Sequence, residues 1–143
     1  MNELAQRCDA IEESYEFMLA YAGQGLPGQE GGGPGETIRE YLSRAAKALT
    51  GIGDAYAAAV HDDGLEPAHR HAAFQEVLER DASSSLAAVE LVLAQPIISS
   101  QLIDNLNASI HLRALLTDLF LIDEVMKISG RTEKSAGAAQ LPA

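Results

Sequence analysis

The longest apolar stretch of this chain runs from Leu102 to Ile128, and it limits what the sequence can fold into more than any other feature. At about 100° per residue, a helix over this stretch has two separate apolar stripes. The first stripe is made of Leu102, Ile103, Leu106 and Ile110. The second is made of Leu112, Leu115, Leu119, Ile122 and Met126. Because such a helix must be covered on more than one side, the sequence predicts a packed helical domain.

The composition favours an all-α fold. A chain of 143 residues has the size of one domain. It is rich in alanine and leucine and has no tryptophan, and its β-branched residues rarely follow one another. These residues favour helix over sheet. We therefore expect helices throughout the folded part of the chain.

The charge balance disfavours two classes of partner. The chain has 21 acidic and 10 basic residues, which give a net charge of −11. Such an excess of negative charge opposes binding to a nucleic acid backbone and to an anionic membrane surface. We therefore expect protein partners, and neither nucleic acid nor membrane.

The N-terminal segment predicts a cytoplasmic location. It has acidic residues where a secretory signal has a basic segment followed by an apolar one. The single cysteine, Cys8, excludes an internal disulfide, which suits a reducing compartment. We interpret Cys8 as a small buried apolar residue, with a reactive thiol as the alternative.

The spacing of apolar residues predicts four helices, at about 2–22, 36–60, 67–95 and 99–129. In the first two, apolar residues recur at alternating steps of four and three, which is typical of helices packed along one another. The segment 23–35 has seven glycines and two prolines and predicts a loop. These elements indicate an antiparallel four-helix bundle as a single domain over 1–130. The segment 131–143 lacks periodicity and predicts a disordered tail.

Histidines and carboxylates cluster between the second and third predicted helices. Glu66 and His69 have the Glu-x-x-His spacing of di-metal bundles, and His71 follows closely. A second copy of that motif is absent from the sequence, and Glu66 precedes the proline at which the helix starts. We interpret the segment from His61 to His71 as a solvated loop, with a surface metal site at Glu66, His69 and His71 as the alternative, and we predict no cofactor.

The fourth predicted helix also has a polar line, made of Asp104, Asn107, His111 and Asp118. A solvent-facing stripe explains this spacing. A buried polar network that fixes helix register, or an active site at His111, would have the same spacing. The run Ser83–Ser85 lacks the motif of an activated nucleophile and predicts small polar packing.

The leading hypothesis for the function rests on the two apolar stripes of the fourth predicted helix. One stripe can face its own bundle and the second, from Leu112 to Met126, a second subunit. Our leading hypothesis is a small, acidic accessory or adaptor protein without catalytic activity, which forms a homodimer. The alternative is a helical metalloprotein or enzyme built on the His61–His71 segment or His111. A third hypothesis is a small ligand held between helices, with aromatic wall residues: Tyr15, Phe17, Tyr21 and Tyr56.

Overall fold

The computed structural model describes residues 2–28 and 33–140, and six helices account for most of them. The helices are α1 (Glu3–Ala22), α2 (Gly33–Leu49), α3 (Ile52–Asp62), α4 (Ala68–Leu93), α5 (Ser100–Ala108) and α6 (Ile110–Gln140). The described residues form no strand. The all-α prediction is confirmed, and the described residues form six helices where the apolar spacing predicts four.

Helix α1 has the extent and the buried face that its spacing predicts. The side chain of Asn2 caps its start by accepting a hydrogen bond from the Ala5 N–H at 2.7 Å. Leu4, Ile11 and Met18 are buried along one face. The local sequence is enough to predict α1, because its N-cap residue and its apolar spacing indicate the same helix.

The second predicted helix is broken into α2 and α3 at Gly51. This glycine is left-handed, with φ of 84°, a conformation that favours glycine over residues with a Cβ. Arg7 of α1 closes the break, because its Nη1 donates to the carbonyls of Lys47, Ala48 and Thr50 at 3.2, 3.0 and 2.6 Å. The carbonyls that the end of α2 leaves unbonded are thus satisfied by a cation from another helix.

The fourth predicted helix is also broken, at Ser109, into α5 and α6. Ser109 is extended, with ψ of 141°, so the chain changes direction between the two helices. Ser99 caps α5 through the Leu102 N–H, and Ser109 caps α6 through the Leu112 N–H at 3.3 Å. Sequence spacing alone does not separate a serine within a helix from one that starts the next helix.

Helix α6 continues past Gly130, where we predict its end. Residues 131–140, which we expect to be disordered, are helical, and residues 141–143 lie outside the described part of the chain. A glycine ends a helix when it adopts the left-handed conformation, but Gly130 does not have a positive φ. The alanines that follow it have the highest helix propensity of all residues.

Part of the predicted loop 23–35 is held tightly, and part belongs to α2. Ser100 binds Leu26 twice, since the Ser100 N–H donates to the Leu26 carbonyl and the Leu26 N–H donates to the Ser100 hydroxyl, both at 2.8 Å. The Tyr21 hydroxyl donates to the Ile98 carbonyl at 2.5 Å. Residues 33–35 are helical, which corrects the end of the loop, and residues 29–32 lie outside the described residues.

The helices pack around one core, with α1 and α4 as the two helices that the others contact. Helix α1 packs against α2, α3 and α5, while α4 packs against α2, α3, α5 and α6. Arg39 of α2 caps the end of α4 by donating to the carbonyls of Leu93 and Gln95 at 2.9 and 2.5 Å. Within residues 2–28 and 33–140, no helix is both long enough and apolar enough to cross a membrane.

Candidate functional site

The second stripe of α6, which we predict as an interface, lies in the core of the single chain. Leu115 and Leu119 are 0% and 2% exposed, Leu112 and Ile122 are buried as well, and Met126 is partly buried against the core. Helix α4 packs on α6, and Leu119, Ile122 and Met126 share a cleft with residues of α1. The chain's own helices therefore cover four of these five residues, and Met126 is covered in part.

The opposite face of α6 is exposed and apolar. Ile110, Phe120, Leu121 and Ile128 are 75%, 58%, 52% and 53% exposed. Three of these side chains belong to a line that advances by steps of four and three residues, which we call the α6 row: Ile110, Ala114, Thr117, Leu121, Glu124 and Ile128. Phe120 lies beside it. Steps of four and three keep residues on one side of a helix, so the row forms one continuous surface.

Charges of both signs accompany the α6 row. Arg113 is exposed one position before Ala114, and Glu124 is exposed within the row. Lys127 forms an ion pair with Asp123 at 3.0 Å, one turn apart on the solvent side. An apolar row with mixed charge at its edge resembles the seam of a helix that pairs with another helix.

Sequence reasoning missed this row because it assigned Ile110 to the wrong stripe. In an unbroken helix, Ile110 continues the line of Ile103 and Leu106, both of which are buried. The break at Ser109 rotates α6, so that Ile110 faces solvent. The useful signal is the spacing from Ile110 to Leu121 and Ile128, which keeps all three side chains on one face of the helix.

The histidines and carboxylates of the predicted metal segment are not brought together. His61 and His69 are exposed, and Glu66 uses its carboxylate to accept a hydrogen bond from the Ala68 N–H at 3.2 Å. His71 is buried, 9% exposed. In the described part of the chain, no group of three or more His, Cys, Asp or Glu side chains is placed to hold a metal ion.

Instead, His71 forms a buried pair with Tyr56 of α3. The Tyr56 hydroxyl and His71 Nδ1 are 2.5 Å apart, and the two rings meet at 63°. Burial raises the pKa of Tyr56, and which of the two atoms donates depends on the tautomer of His71. In the tautomer in which Nδ1 accepts, the N–H of the imidazole is at Nε2.

The break at Ser109 separates the residues of the predicted polar line. Asp104 and His111 are exposed, whereas Asn107 and Asp118 are buried. Asn107 Nδ2 donates to the Met18 carbonyl at 3.1 Å and so ties α5 to α1. The expected solvent-facing stripe is therefore wrong for Asn107 and Asp118.

Asp118 lies beside Asp81 of α4. Burial is the largest cause that raises the pKa of Asp118 to about 7, and a hydrogen bond to Asp81 and the charge of Asp81 act in the same direction. Asp118 Oδ2 is buried and accepts no hydrogen bond from the described N–H and O–H donors. Two neighbouring carboxyl groups are compatible when one of them has a proton.

Two other candidate nucleophiles have structural roles. Cys8 is half-buried, and burial, assisted by Glu12, Asp9 and Asp123, raises the pKa of its thiol to about 11. The thiol is therefore protonated at neutral pH and a poor nucleophile. Ser85, at the end of the serine run, is buried and donates to the His111 carbonyl at 2.9 Å, so it links α4 to α6.

The aromatic residues also pack mainly within the protein. Tyr21 and Tyr56 are buried, and Tyr15 and Phe17 pack partly buried against the core. Phe17 stacks on Tyr41 with ring centroids 4.3 Å apart.

A comparison of the chain with protein-family models, curated proteins and solved structures found no match.

Proposed function

We propose that this chain is an accessory protein without catalytic activity that acts by binding protein, and that the α6 row is its contact surface. The supporting observation is that Ile110, Leu121 and Ile128 are each more than half exposed on one face of a helix whose opposite face is buried. From Ile110 to Ile128 this face is about 27 Å long at 1.5 Å per residue. Contiguous exposed apolar surface of this kind is typical of interaction sites.

The spacing of the row supports a second copy of the same chain as its partner. Two antiparallel α6 helices, related by a twofold axis beside residue 119, place Ile110 of one copy opposite Ile128 of the other. The same pairing places Leu121 opposite Thr117 and brings Phe120 of both copies near the axis. Arg113 then lies near Glu124 of the other copy. A twofold interface requires such a self-complementary surface.

The proposed dimer has a limited contact area, which sets the concentrations for its test. One helix pair buries less surface than a standard protein interface, so we expect a dissociation constant in the micromolar range. Sedimentation equilibrium from about 1 to about 200 µM should show a monomer that becomes a dimer. A monomer over this whole range would contradict the proposed homodimer.

Matched variants test whether the α6 row is the interface. The double variant I110K/L121K should be a monomer at all these concentrations, because each lysine places a charge in the apolar contact. Leu91→Lys is the control, since Leu91 is 66% exposed but lies on α4, away from the row. It should dimerise like the wild type, and circular dichroism should show the same helix content in all three proteins. Dimerisation of I110K/L121K at wild-type strength would exclude the row.

The same variants test the accessory role in the cell. Crosslinking in the native cell should recover a partner with the wild type and with Leu91→Lys. The partner should be lost with I110K/L121K. Equal recovery with all three proteins would contradict a partner that binds at the α6 row.

A further inference from the structure

A cavity of about 300 Å³ lies where α3, the beginning of α4 and the middle of α6 meet. Its apolar wall contains Phe74, Leu121, Ile122 and Val125, and its polar end contains Arg70 and His71. This volume is at the lower end of the range of pockets that hold small molecules. It is too small for a peptide chain or a nucleotide.

The polar end of the cavity presents hydrogen-bond donors. His71 Nδ1 is hydrogen-bonded to the Tyr56 hydroxyl, and in the tautomer in which Nδ1 accepts, Nε2–H is the second polar group of a ring that is 9% exposed. No side chain or carbonyl of the described residues accepts a hydrogen bond from Nε2, and none forms an ion pair with Arg70. The guanidinium of Arg70, which is exposed, and the adjacent imidazole of His71 therefore have donors that no described residue occupies.

Glu66 also lines the cavity and limits the charge that it can take. One oxygen of Glu66 accepts the Ala68 N–H at 3.2 Å, and no ion pair joins Glu66 to Arg70 within the described residues. Its negative charge, in a protein with a net charge of −11, opposes a ligand with two negative charges. The charge of a ligand with a single carboxylate is balanced by Arg70.

We propose that this cavity binds a small monocarboxylic acid with an apolar body about the size of one aromatic ring. The Arg70 guanidinium binds the carboxylate, with the two-pronged geometry that favours arginine for this group. His71 Nε2–H donates a further hydrogen bond, and Tyr56 holds the imidazole in the tautomer that can do so. The ring of the ligand packs on Phe74, Leu121 and Val125, and the buried apolar surface contributes to affinity.

Three probes of similar shape separate charge from apolar contact. They are 3-phenylpropionate, 3-phenylpropan-1-ol and 3-phenylpropylamine, each titrated into the full-length 15N-labelled chain. The acid should shift the amide signals of His71, Phe74 and Val125 and bind about tenfold more tightly than the alcohol, because it alone gains a charged hydrogen bond to Arg70. The amine should bind most weakly. Equal binding of acid and alcohol, or shifts confined to other residues, would overturn the proposal.

Leu121 belongs both to the cavity and to the α6 row, so the variants that test the cavity are chosen outside the row. Arg70→Gln should weaken binding of 3-phenylpropionate about tenfold and leave binding of the alcohol unchanged. Arg80→Gln is the control, since Arg80 is exposed on the same helix and does not line the cavity. Val125→Trp fills the cavity and should abolish binding of both probes, with folding checked by circular dichroism. An unchanged affinity of Arg70→Gln for the acid would reject the assigned carboxylate site.

Discussion

Asp118 on α6 lies against Asp81 on α4, with Asp118 Oδ2 buried and without a hydrogen-bond donor among the described residues. Burial, together with the hydrogen bond to Asp81 and its charge, raises the pKa of Asp118 to about 7. In the unfolded chain Asp118 titrates near the ordinary pKa of an aspartate, about 3.9. The folded state therefore keeps a proton that the unfolded state has already lost.

This difference predicts that the protein becomes less stable as pH rises. When the pKa is raised in the folded state, the stabilisation is complete below the unfolded pKa and is lost as pH rises through the folded pKa. We expect the free energy of unfolding to fall by about 1 to 2 kcal/mol between pH 4 and pH 7 from this group, a value that discounts the full shift for solvent screening. Urea titrations across this range measure it.

Asp118→Asn should remove most of this pH dependence, because an amide stays neutral at every pH. The variant should be more stable than the wild type at pH 8. Asp104→Asn is the matched control, since Asp104 is exposed on α5. Identical pH slopes for the wild type and Asp118→Asn would show that the carboxyl pair does not keep a proton in the folded state.

Replacing Arg7 should lower the free energy of unfolding strongly, although its side chain is partly exposed. Replacing Arg7 by methionine keeps much of the aliphatic packing and leaves the carbonyls of Ala48 and Thr50 without their donor. We expect a loss of about 1.5 to 3 kcal/mol in the free energy of unfolding. Chemical denaturation measures it, with Arg80→Met, an exposed arginine of α4, expected to lie within about 0.5 kcal/mol of the wild type.

The two faces of α6 should respond in opposite ways to the same substitution. Leu119→Asp buries a carboxylate where the leucine is 2% exposed, and it should cost more than about 4 kcal/mol and unfold most of the chain. Leu121→Asp, two residues away and 52% exposed, should remain helical. Thermal melts followed by circular dichroism distinguish the two. A folded Leu119→Asp would place that residue outside the core.

The Cys8 thiol should react with a disulfide reagent more slowly than an exposed, unpaired cysteine does. With its pKa at about 11 instead of 9.0, the thiolate fraction near pH 8 falls by about a hundredfold. The rate with a chromogenic disulfide reagent should therefore be about a hundred times higher in denaturant than in buffer, since unfolding removes the burial. Equal rates in the two solvents would show that the thiol is exposed and ordinary.

The sequence contains enough information to predict the helical class and the face of α1, because cap and apolar spacing agree over the whole helix. It is less informative for α2 and α3. Leu42, Leu49 and Ile52 remain in phase across Gly51, and all three are buried, so the pattern continues through a real break. Apolar spacing reports which residues are buried, and it does not report whether the backbone between them is continuous.

The exposure of the α6 row depends on one residue, Ser109, for which the local sequence allows two positions. Ser109 can lie inside a helix or cap the next one, and only the packing of α5 on α1, through Asn107 and Met18, decides between them. Because Ser109 starts a new helix, α6 is rotated relative to α5, so that Leu115 is buried and Ile110 is exposed. The Tyr56–His71 pair joins residues of two helices, and no local pattern relates them.

The closure of the break at Gly51 by Arg7 has a consequence for how the native chain opens. An interrupted helix is ordinarily the place where backbone amides become transiently accessible to water, because few bonds hold its ends. Here the cation that holds the end of α2 belongs to α1, so that opening requires α1 to move as well. Amide hydrogen exchange at the end of α2 should therefore proceed with the same protection as in the neighbouring turn of α1, as one cooperative unit.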